Sequence, residues 1–413
     1  MGNGTRATGA RATRRVSRLR VSGRRVAMGA AIAALLTGAA SMPASAAEPF
    51  DIPVVLPLTG PASFLGRAEQ KSLTRTEAVL SEDGGIAGRP VHFVFYDDQS
   101  SAQTAVQLGT QIVATKPPVM LGSAVVGMCN AMAPLMARGP VMYCLSPGLY
   151  PKPGTFVFSS SNATADLLSA QIRFFRLSGL KKIAAITSTD ASGQDAARQI
   201  KTILAEPENK DMQLAADTTF NPTDVSAAAQ VQRLKSAEPQ AVIAWSTGAA
   251  IGTVFKAIID AGLDVPIATT DGNMTYAQMA QFKDILPKTL YIPSPEWPAS
   301  DRPVPPDVAS AKAAFFKAFQ GADAQPDAAY TFAWDPAVLV VSALKRLGPT
   351  ATAAQVREYL ANLKGFAGIN GVYDFSKIPQ RGLDDENVVV TEWQKDKGTW
   401  QVVSQPKGLP LTQ

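Results

Sequence analysis

From residue 52 onward, short apolar segments alternate with longer segments in which apolar residues recur three or four positions apart. The longer pattern is that of a helix with one buried face, and the short runs are typical of buried strands. The predicted strands span residues 52–57, 91–96, 119–121, 141–144, 183–187, 241–246 and 267–270. The predicted helices span residues 68–80, 104–114, 165–177, 196–204, 225–234 and 251–261. Such alternation predicts an α/β fold with mostly parallel sheets.

The first 46 residues have a different pattern. Eight arginines precede a nearly uncharged run at residues 26–40, and Ala44-Ser45-Ala46 follows as a processing site of small residues. This pattern predicts a signal peptide over residues 1–46 that is removed on export, and two adjacent-arginine pairs leave the general and the twin-arginine routes both open. The apolar run is too short to span a bilayer, and the first cysteine is Cys129, so we expect neither a membrane anchor nor a lipid anchor.

Removing the leader changes the charge of the chain. The full sequence has 39 Lys and Arg against 34 Asp and Glu, but the leader holds eight of the basic residues and none of the acidic ones, so the mature chain carries about −3. A basic surface for nucleic acid or anionic membranes is therefore not expected. About 367 residues remain, which is enough for two domains. A proline-rich stretch at residues 293–306 predicts a crossing segment or an exposed loop between elements.

Few residues offer catalytic or metal chemistry. His92 is the only histidine, so no histidine triad or zinc set can be assembled, and we expect neither an enzyme nor a cofactor. The adjacent Asp97 and Asp98 precede a helix, where turn and N-cap roles are favoured over acid–base catalysis. Cys129 and Cys144 are fifteen residues apart and, in an exported protein, form either one disulfide or two buried thiols.

Several sequence motifs carry a resemblance to a known family. LPLTGPASFLG at residues 56–66, EDGGIAGRPVHFVFYDDQS at 82–100 and TTDGN at 269–273 follow in this order along the chain. Together they resemble the periplasmic substrate-binding proteins of branched-chain amino acid ABC transporters. The resemblance implies two similar α/β lobes, joined by a hinge of three crossings, with the ligand at the strand ends between them. Lobe one would comprise residues 47–162 and 291–382, and lobe two residues 163–290 and 383–413.

The resemblance also implies the site residues. Relatives that bind amino acids hold the carboxylate with hydroxyls and amides at a helix start after the third strand, and the ammonium with an acid from lobe two. Here Val125 and Val126 stand where paired serines are usual, unless they are core residues shifted by an alignment slip. Asp271 matches the acidic position, although it could instead cap a helix that begins near Thr275. The other ligand-binding residues would be Phe64, Leu65, Leu145, Ser146, Ala191, Thr247 and Asn273.

These residues predict a site with fewer polar groups than a zwitterion requires. We therefore expect a monomeric periplasmic receptor that captures a small organic acid with an apolar or aromatic body, or an aliphatic amino acid. Its partner would be an inner-membrane ABC permease with its ATPases. A periplasmic sensor that signals to another protein without transport is the alternative function.

Overall fold

The computed structural model describes residues 47–298, 302–322 and 325–411, so the predicted signal peptide lies outside the described residues. The first lobe is built on a sheet of five parallel strands. In spatial order these are β2 (Val91–Asp97), β1 (Phe50–Leu56), β3 (Val119–Leu121), β4 (Val141–Cys144) and β5 (Val157–Ser159). The helices that follow its strands are α1 (Ser63–Glu82), α2 (Ala102–Thr115) and α3 (Val126–Met132).

The second lobe is built on a sheet of seven strands. In spatial order these are β14 (Thr399–Val402), β13 (Val388–Gln394), β10 (Leu290–Pro295), β9 (Ile267–Ala268), β8 (Ala241–Trp245), β6 (Lys182–Ser188) and β7 (Gln213–Phe220). β13 and β14 are antiparallel to their neighbours, and the other five strands run parallel. Its helices are α4 (Thr164–Leu177), α5 (Ala191–Leu204), α6 (Ala228–Ser236), α7 (Ala250–Asp260) and α8 (Tyr276–Gln281).

The remaining elements lie between β10 and β13 in the chain. They are α9 (Pro306–Ala318), α10 (Ala328–Leu347), α11 (Ala353–Ala361) and a hairpin of β11 (Lys364–Gly368) with β12 (Gly371–Asp374). α10 packs along α1 of the first lobe. The prediction of an α/β fold with parallel sheets in two lobes is confirmed.

The strands in the middle of both sheets are buried on both faces. All five residues of β8 and all four of β4 are buried, since helices cover each side of the sheets. Parallel sheets of this kind have continuous apolar strands because no face meets water. For this reason the short apolar runs of the sequence located these strands.

The chain passes between the lobes three times. The first crossing, residues 160–163, follows β5, the second follows β10, and the third, residues 375–387, joins β12 to β13. The predicted lobe boundary at 290/291 falls inside β10, which pairs with β9 and β13 of the second sheet. We therefore propose that the second lobe extends through Pro295.

Cys129 and Cys144 form a disulfide. Their Cα atoms are 6.0 Å apart, and both side chains are fully buried. The bond joins α3 to the end of β4 and decides between the two alternatives that the sequence left open.

We expect loss of this disulfide to destabilise the protein by about 3 kcal/mol, because the bond restricts the unfolded chain across a fifteen-residue separation. Urea denaturation of Cys129→Ala, Cys144→Ala and the double variant measures the loss. Either single change breaks the bond, so each should cost nearly as much as the double change. Fully additive losses would contradict this expectation and would indicate that packing dominates.

Candidate ligand-binding cavity

A cavity of about 480 Å³ lies where the carboxyl ends of the parallel strands of both sheets meet. Its size is within the range of sites for small organic molecules. The first lobe contributes Pro61, Ala62, Phe64, Leu65, Ser100, Ala124, Val125, Val126, Gly127, Met128, Ser146, Pro147 and Gly148, and α10 contributes Phe332. The second lobe contributes Thr164, Asp190, Ala191, Ser192, Pro222, Thr223, Trp245, Thr247, Ala249, Ala250, Thr270, Asp271 and Gly272.

The wall from the first lobe is mostly apolar. Its lining residues include only two hydroxyl side chains, Ser100 and Ser146, among those that the structure describes. The Ser100 hydroxyl donates to the Thr59 carbonyl at 2.9 Å and accepts from the Ala62 amide at 3.2 Å. Ser146 is therefore the serine of this wall whose hydroxyl is left for a ligand.

The wall from the second lobe is polar. Hydroxyls line it, and the hydroxyl oxygens of Ser192 and Thr247 are 3.5 Å apart. Two acids, Asp190 and Asp271, also line it, and no Lys, Arg or His of the described ranges does. The cavity thus has an apolar side, a hydroxyl-rich side and negative charge.

Asp271 is the most unusual of these residues. Its side chain is fully buried, and Oδ1 accepts a hydrogen bond from Thr270 Oγ1 at 3.0 Å, whereas Oδ2 has no partner in the structure. Burial raises the pKa of Asp271 to about 7, because the charged form loses its hydration. A donor or a cation from a ligand would satisfy the unpartnered oxygen.

The capping alternative for Asp271 is not what the structure contains. α8 is capped by Thr275, whose hydroxyl accepts from the Gln278 amide at 3.2 Å. Asp271 instead begins a short 3-10 turn (Asp271–Asn273) directly after β9. Asp271 therefore lines the cavity without a role in capping α8.

Eight of the ten sequence-predicted residues line the cavity: Phe64, Leu65, Val125, Val126, Ser146, Ala191, Thr247 and Asp271. Leu145 and Asn273 do not. Leu145 is fully buried in the hydrophobic core of the first lobe, because neighbouring residues of an extended segment point to opposite faces. The prediction for Leu145 is therefore corrected to a core role.

Asn273 is corrected to a positioning role behind the cavity wall. Its Nδ2 donates to the Ser246 carbonyl at 2.7 Å and to Thr269 Oγ1 at 2.9 Å, and its Oδ1 accepts from the Gly248 amide at 3.0 Å. These bonds fix the loop after β8 to the end of β9. Both hydrogens of Nδ2 are thus engaged by the protein, and Oδ1 holds the Gly248 amide.

Sequence reasoning missed three lining residues of note, Trp245, Thr270 and Phe332. Trp245 and Thr270 lie at the ends of predicted strands, so their positions at the carboxyl edge could have identified them. Phe332 lies on α10, whose place beside the cavity depends on the chain returning to the first lobe. No local pattern carries that information.

The two acids before α2 have the predicted turn roles but not the predicted N-cap role. Asp97 Oδ1 accepts from the amides of Leu58 and Thr59 at 3.0 and 3.1 Å. Asp98 accepts from the Ser123 hydroxyl at 2.7 Å, and Ser101 rather than either acid caps α2. These contacts hold the loops after β1, β2 and β3 together on the first-lobe side of the cavity.

The lobes touch at the edge of the cavity through Phe64 and Gly248. Gly248 has φ of +88°, and a Cβ placed on it would lie 3.1 Å from Cε1 of Phe64. The ring of Phe64, from the start of α1, therefore lies directly against the loop after β8. Only glycine leaves room for this contact without displacement of the ring.

We expect Gly248→Ala to weaken ligand binding and to destabilise the fold by about 1–2 kcal/mol, since the backbone is left-handed there. Gly179→Ala is a matched control because φ is +80° and nothing lies within 4 Å of its added Cβ. Titration calorimetry and urea denaturation of both variants separate the two effects. Equal ligand affinity in the two variants would contradict the assigned contact.

Comparison with known proteins agrees with this architecture. Residues 49–398 match the family model described as periplasmic binding protein. No curated protein sequence matches the chain. Among solved structures, an extracellular ligand-binding receptor from Rhodopseudomonas palustris HaA2 has a TM-score of 0.76 at 20% identity, covering 86% of this chain and 99% of that one.

Two other similar structures contain ligands. The branched-chain amino acid transporter substrate-binding protein LivJ from Streptococcus pneumoniae, in complex with isoleucine, has a TM-score of 0.70 at 19% identity, covering 86% of this chain and 98% of that one. A solute-binding protein of an ABC transporter from R. palustris, in complex with benzoate, has a TM-score of 0.72 at 21% identity, covering 88% and 98%. At these identities the similarity establishes the fold alone.

Proposed function

Because this chain belongs to the periplasmic binding protein family, we propose that it is an exported receptor that encloses one small organic molecule between its lobes and delivers it to an inner-membrane ABC permease. One observation carries the proposal: a 480 Å³ cavity, lined by loops of both lobes, contains a buried carboxyl oxygen without a partner. Hinge motion over a ligand would report occupancy to the permease and its ATPases.

The ligand has an apolar body and an amino group. Apolar side chains of the first lobe would bury the body, and Asp271 would pair with the amino group. The isoleucine complex of the S. pneumoniae protein and the benzoate complex of the R. palustris protein represent the two ligand classes that the sequence left open. A simple organic acid is the weaker of the two here, because its carboxylate would meet Asp271 and no cation among the described lining residues.

A ligand screen by thermal unfolding tests this function. A compound that binds only the folded chain stabilises it by about 2.7 kcal/mol at 100 times its Kd. We expect stabilisation by small compounds with an apolar body and an amino group, and not by sugars, inorganic anions or nucleotides. Stabilisation confined to a compound class outside this description would refute the proposed ligand chemistry.

An assay with the cognate permease distinguishes a transport receptor from a sensor. If the protein is a transport receptor, adding it with its ligand should raise ATP hydrolysis by the cognate permease in liposomes and move the ligand into them. A periplasmic sensor would bind the same ligand without either effect.

Export is tested by the mature N-terminus. We expect protein recovered from the periplasm to begin at Ala47, because Ala44-Ser45-Ala46 offers a signal peptidase the small residues it requires. Intact-mass spectrometry measures this directly. Recovery of chains that retain the arginine-rich leader would refute removal of residues 1–46.

Among the described residues, no helix is long and apolar enough to cross a membrane.

A further inference from the structure

The charged groups of the cavity wall are unbalanced. Among the described residues, the wall carries two carboxyl groups and no cation. Asp190 Oδ1 is engaged by the Ser188 hydroxyl at 2.8 Å and the Gly193 amide at 3.0 Å, as the cap of α5. Asp271 Oδ2 has no partner. A cation that enters the cavity therefore finds a buried carboxyl group to pair with, whereas an anion finds no cation among the described lining residues.

A cation of the protein does not compensate Asp271. Arg381 is the cation whose charge acts on Asp271, but its guanidinium donates to the carbonyls of Ser160, Ser161, Pro147 and Leu149. Arg381 is itself buried, at 5% exposure, and does not line the cavity. When Asp271 is ionised, a cation on the ligand would supply the charge that no lining residue of the described ranges provides.

A ligand carboxylate held by the first lobe would lack an adequate set of donors. Ser123, the hydroxyl nearest in sequence to Val125, donates to Asp98 at 2.7 Å, and the Val125 amide already donates to Ser123 Oγ at 3.3 Å. Val125 and Val126 bring no hydroxyl, and the helix that follows has only seven residues. Of the two first-lobe serines in the wall, only Ser146 has an uncommitted hydroxyl. One hydroxyl on this side does not replace the hydration that a buried carboxylate loses, and the other hydroxyls of the wall lie on the second lobe, which carries both acids.

We therefore infer that the natural ligand is an apolar amine that carries one positive charge and no carboxylate. This inference rests on the proposed function as a receptor for a small solute. The ammonium pairs with Asp271 among the hydroxyls of Thr247 and Thr270. The apolar body lies against Phe64, Val125 and Phe332, and aromatic rings near a cation add to its binding.

Matched sets of ligands test the inference. L-leucine, 3-methylbutylamine and 4-methylpentanoate share an apolar body and differ in which charged groups they carry. L-phenylalanine, 2-phenylethylamine and 3-phenylpropanoate do the same with an aromatic body. In titration calorimetry at pH 8, we expect an amine to bind at least tenfold tighter than the amino acid and the acid of its set. If in both sets the amino acid or the acid binds as tightly as the amine, the inference is overturned.

Failure of this inference is distinguishable from failure of the receptor function. If none of the six compounds binds while another small solute stabilises the protein in the screen, the amine class is overturned and the receptor function stands. If no small solute stabilises the protein, the receptor function itself fails.

A second variant tests the reason for the missing carboxylate. Val125→Thr replaces a methyl group with a hydroxyl and changes the volume of the side chain little. We expect the ratio of amino-acid affinity to amine affinity to rise at least tenfold relative to the unchanged protein, within one matched set. An unchanged or lower ratio would count against the assigned role of residue 125. Urea denaturation of the variant verifies that the fold is retained.

Discussion

Replacing Asp271 with asparagine is expected to weaken binding of an amine-bearing ligand by about 100-fold. The change keeps the shape of the side chain and removes its charge, so the ligand's ammonium would be buried without an anionic partner. Losing one partner of a buried charge pair costs about 2–5 kcal/mol, and each 1.4 kcal/mol is a factor of ten in affinity. Titration calorimetry with the best ligand from the screen measures the loss.

Asp190→Asn is the matched control for this variant. It removes the other negative charge of the cavity wall, and asparagine is also a good cap for α5. We expect a much smaller change in affinity, because Asp190 is exposed and its Oδ1 is already engaged. Equal losses in the two variants would mean that overall charge, rather than the Asp271 contact, holds the ligand.

The same residue gives binding a defined pH dependence. Since the pKa of Asp271 is about 7 in the folded protein, binding of an ammonium should strengthen as pH rises from 6 to 8 and Asp271 ionises. The stability of the free protein depends on pH in the opposite direction. The folded form holds the proton to a higher pH than the unfolded chain, whose Asp pKa is about 3.9, so this contribution to stability decreases as pH rises from about 4 to 7. Asp271→Asn should remove both dependences.

Replacing Arg381 with methionine is expected to cause one of the largest losses of stability, about 3–5 kcal/mol. The guanidinium lies in the third crossing and donates at about 3 Å to the carbonyls of Ser160 and Ser161 in the first crossing. It also donates to the carbonyls of Pro147 and Leu149, in the loop after β4. Methionine fills similar space but leaves four carbonyl groups without this donor, and breaking buried charged contacts costs about this much.

Two further variants give this prediction its controls. Arg381→Lys keeps the charge but not the planar fork of donors, so it should lose an intermediate amount. Arg357→Met removes a half-buried arginine that donates to the Gly154 carbonyl at 3.3 Å and lies over the Phe156 ring, and with one long hydrogen bond against the four of Arg381 it should cost about 1 kcal/mol. Urea denaturation compares the three. A loss in Arg381→Met no greater than that in Arg357→Met would refute the role of Arg381 in joining the crossings.

The sequence predicted β1 to β4, β6, β8 and β9, and it missed β5, β7 and β10 to β14. β8 reads AVIAW, an uninterrupted apolar run, because both of its faces are covered. β7 reads QLAADTTF at the edge of its sheet, where half-exposed positions admit polar residues. β10 contains two prolines, yet it pairs with β9 only at Leu290 and Tyr291, so Pro293 and Pro295 interrupt no ladder on that side. Their tolerance depends on the shortness of β9, which is not visible in the sequence of β10.

The sequence predicted residues that line the cavity where position along a strand determines them. Asp271 and Thr247 follow parallel strands, and the carboxyl ends of such strands meet at one edge. Asn273 could not be assigned correctly because its amide forms bonds with the loop after β8, a contact between segments distant in the chain. Phe332 reaches the cavity from a helix whose location depends on the second crossing.

The disulfide between Cys129 and Cys144 constrains the order of folding. Both side chains have no exposure to solvent, so an oxidant cannot reach them once α3 has packed on β4. The bond must therefore form before or during that packing step. A chain that folds in a reducing compartment keeps both cysteines as thiols. Later transfer to an oxidising buffer does not form the disulfide unless the lobe reopens. Recombinant protein made in the cytoplasm would accordingly need refolding under oxidising conditions to acquire the crosslink beneath its ligand loops.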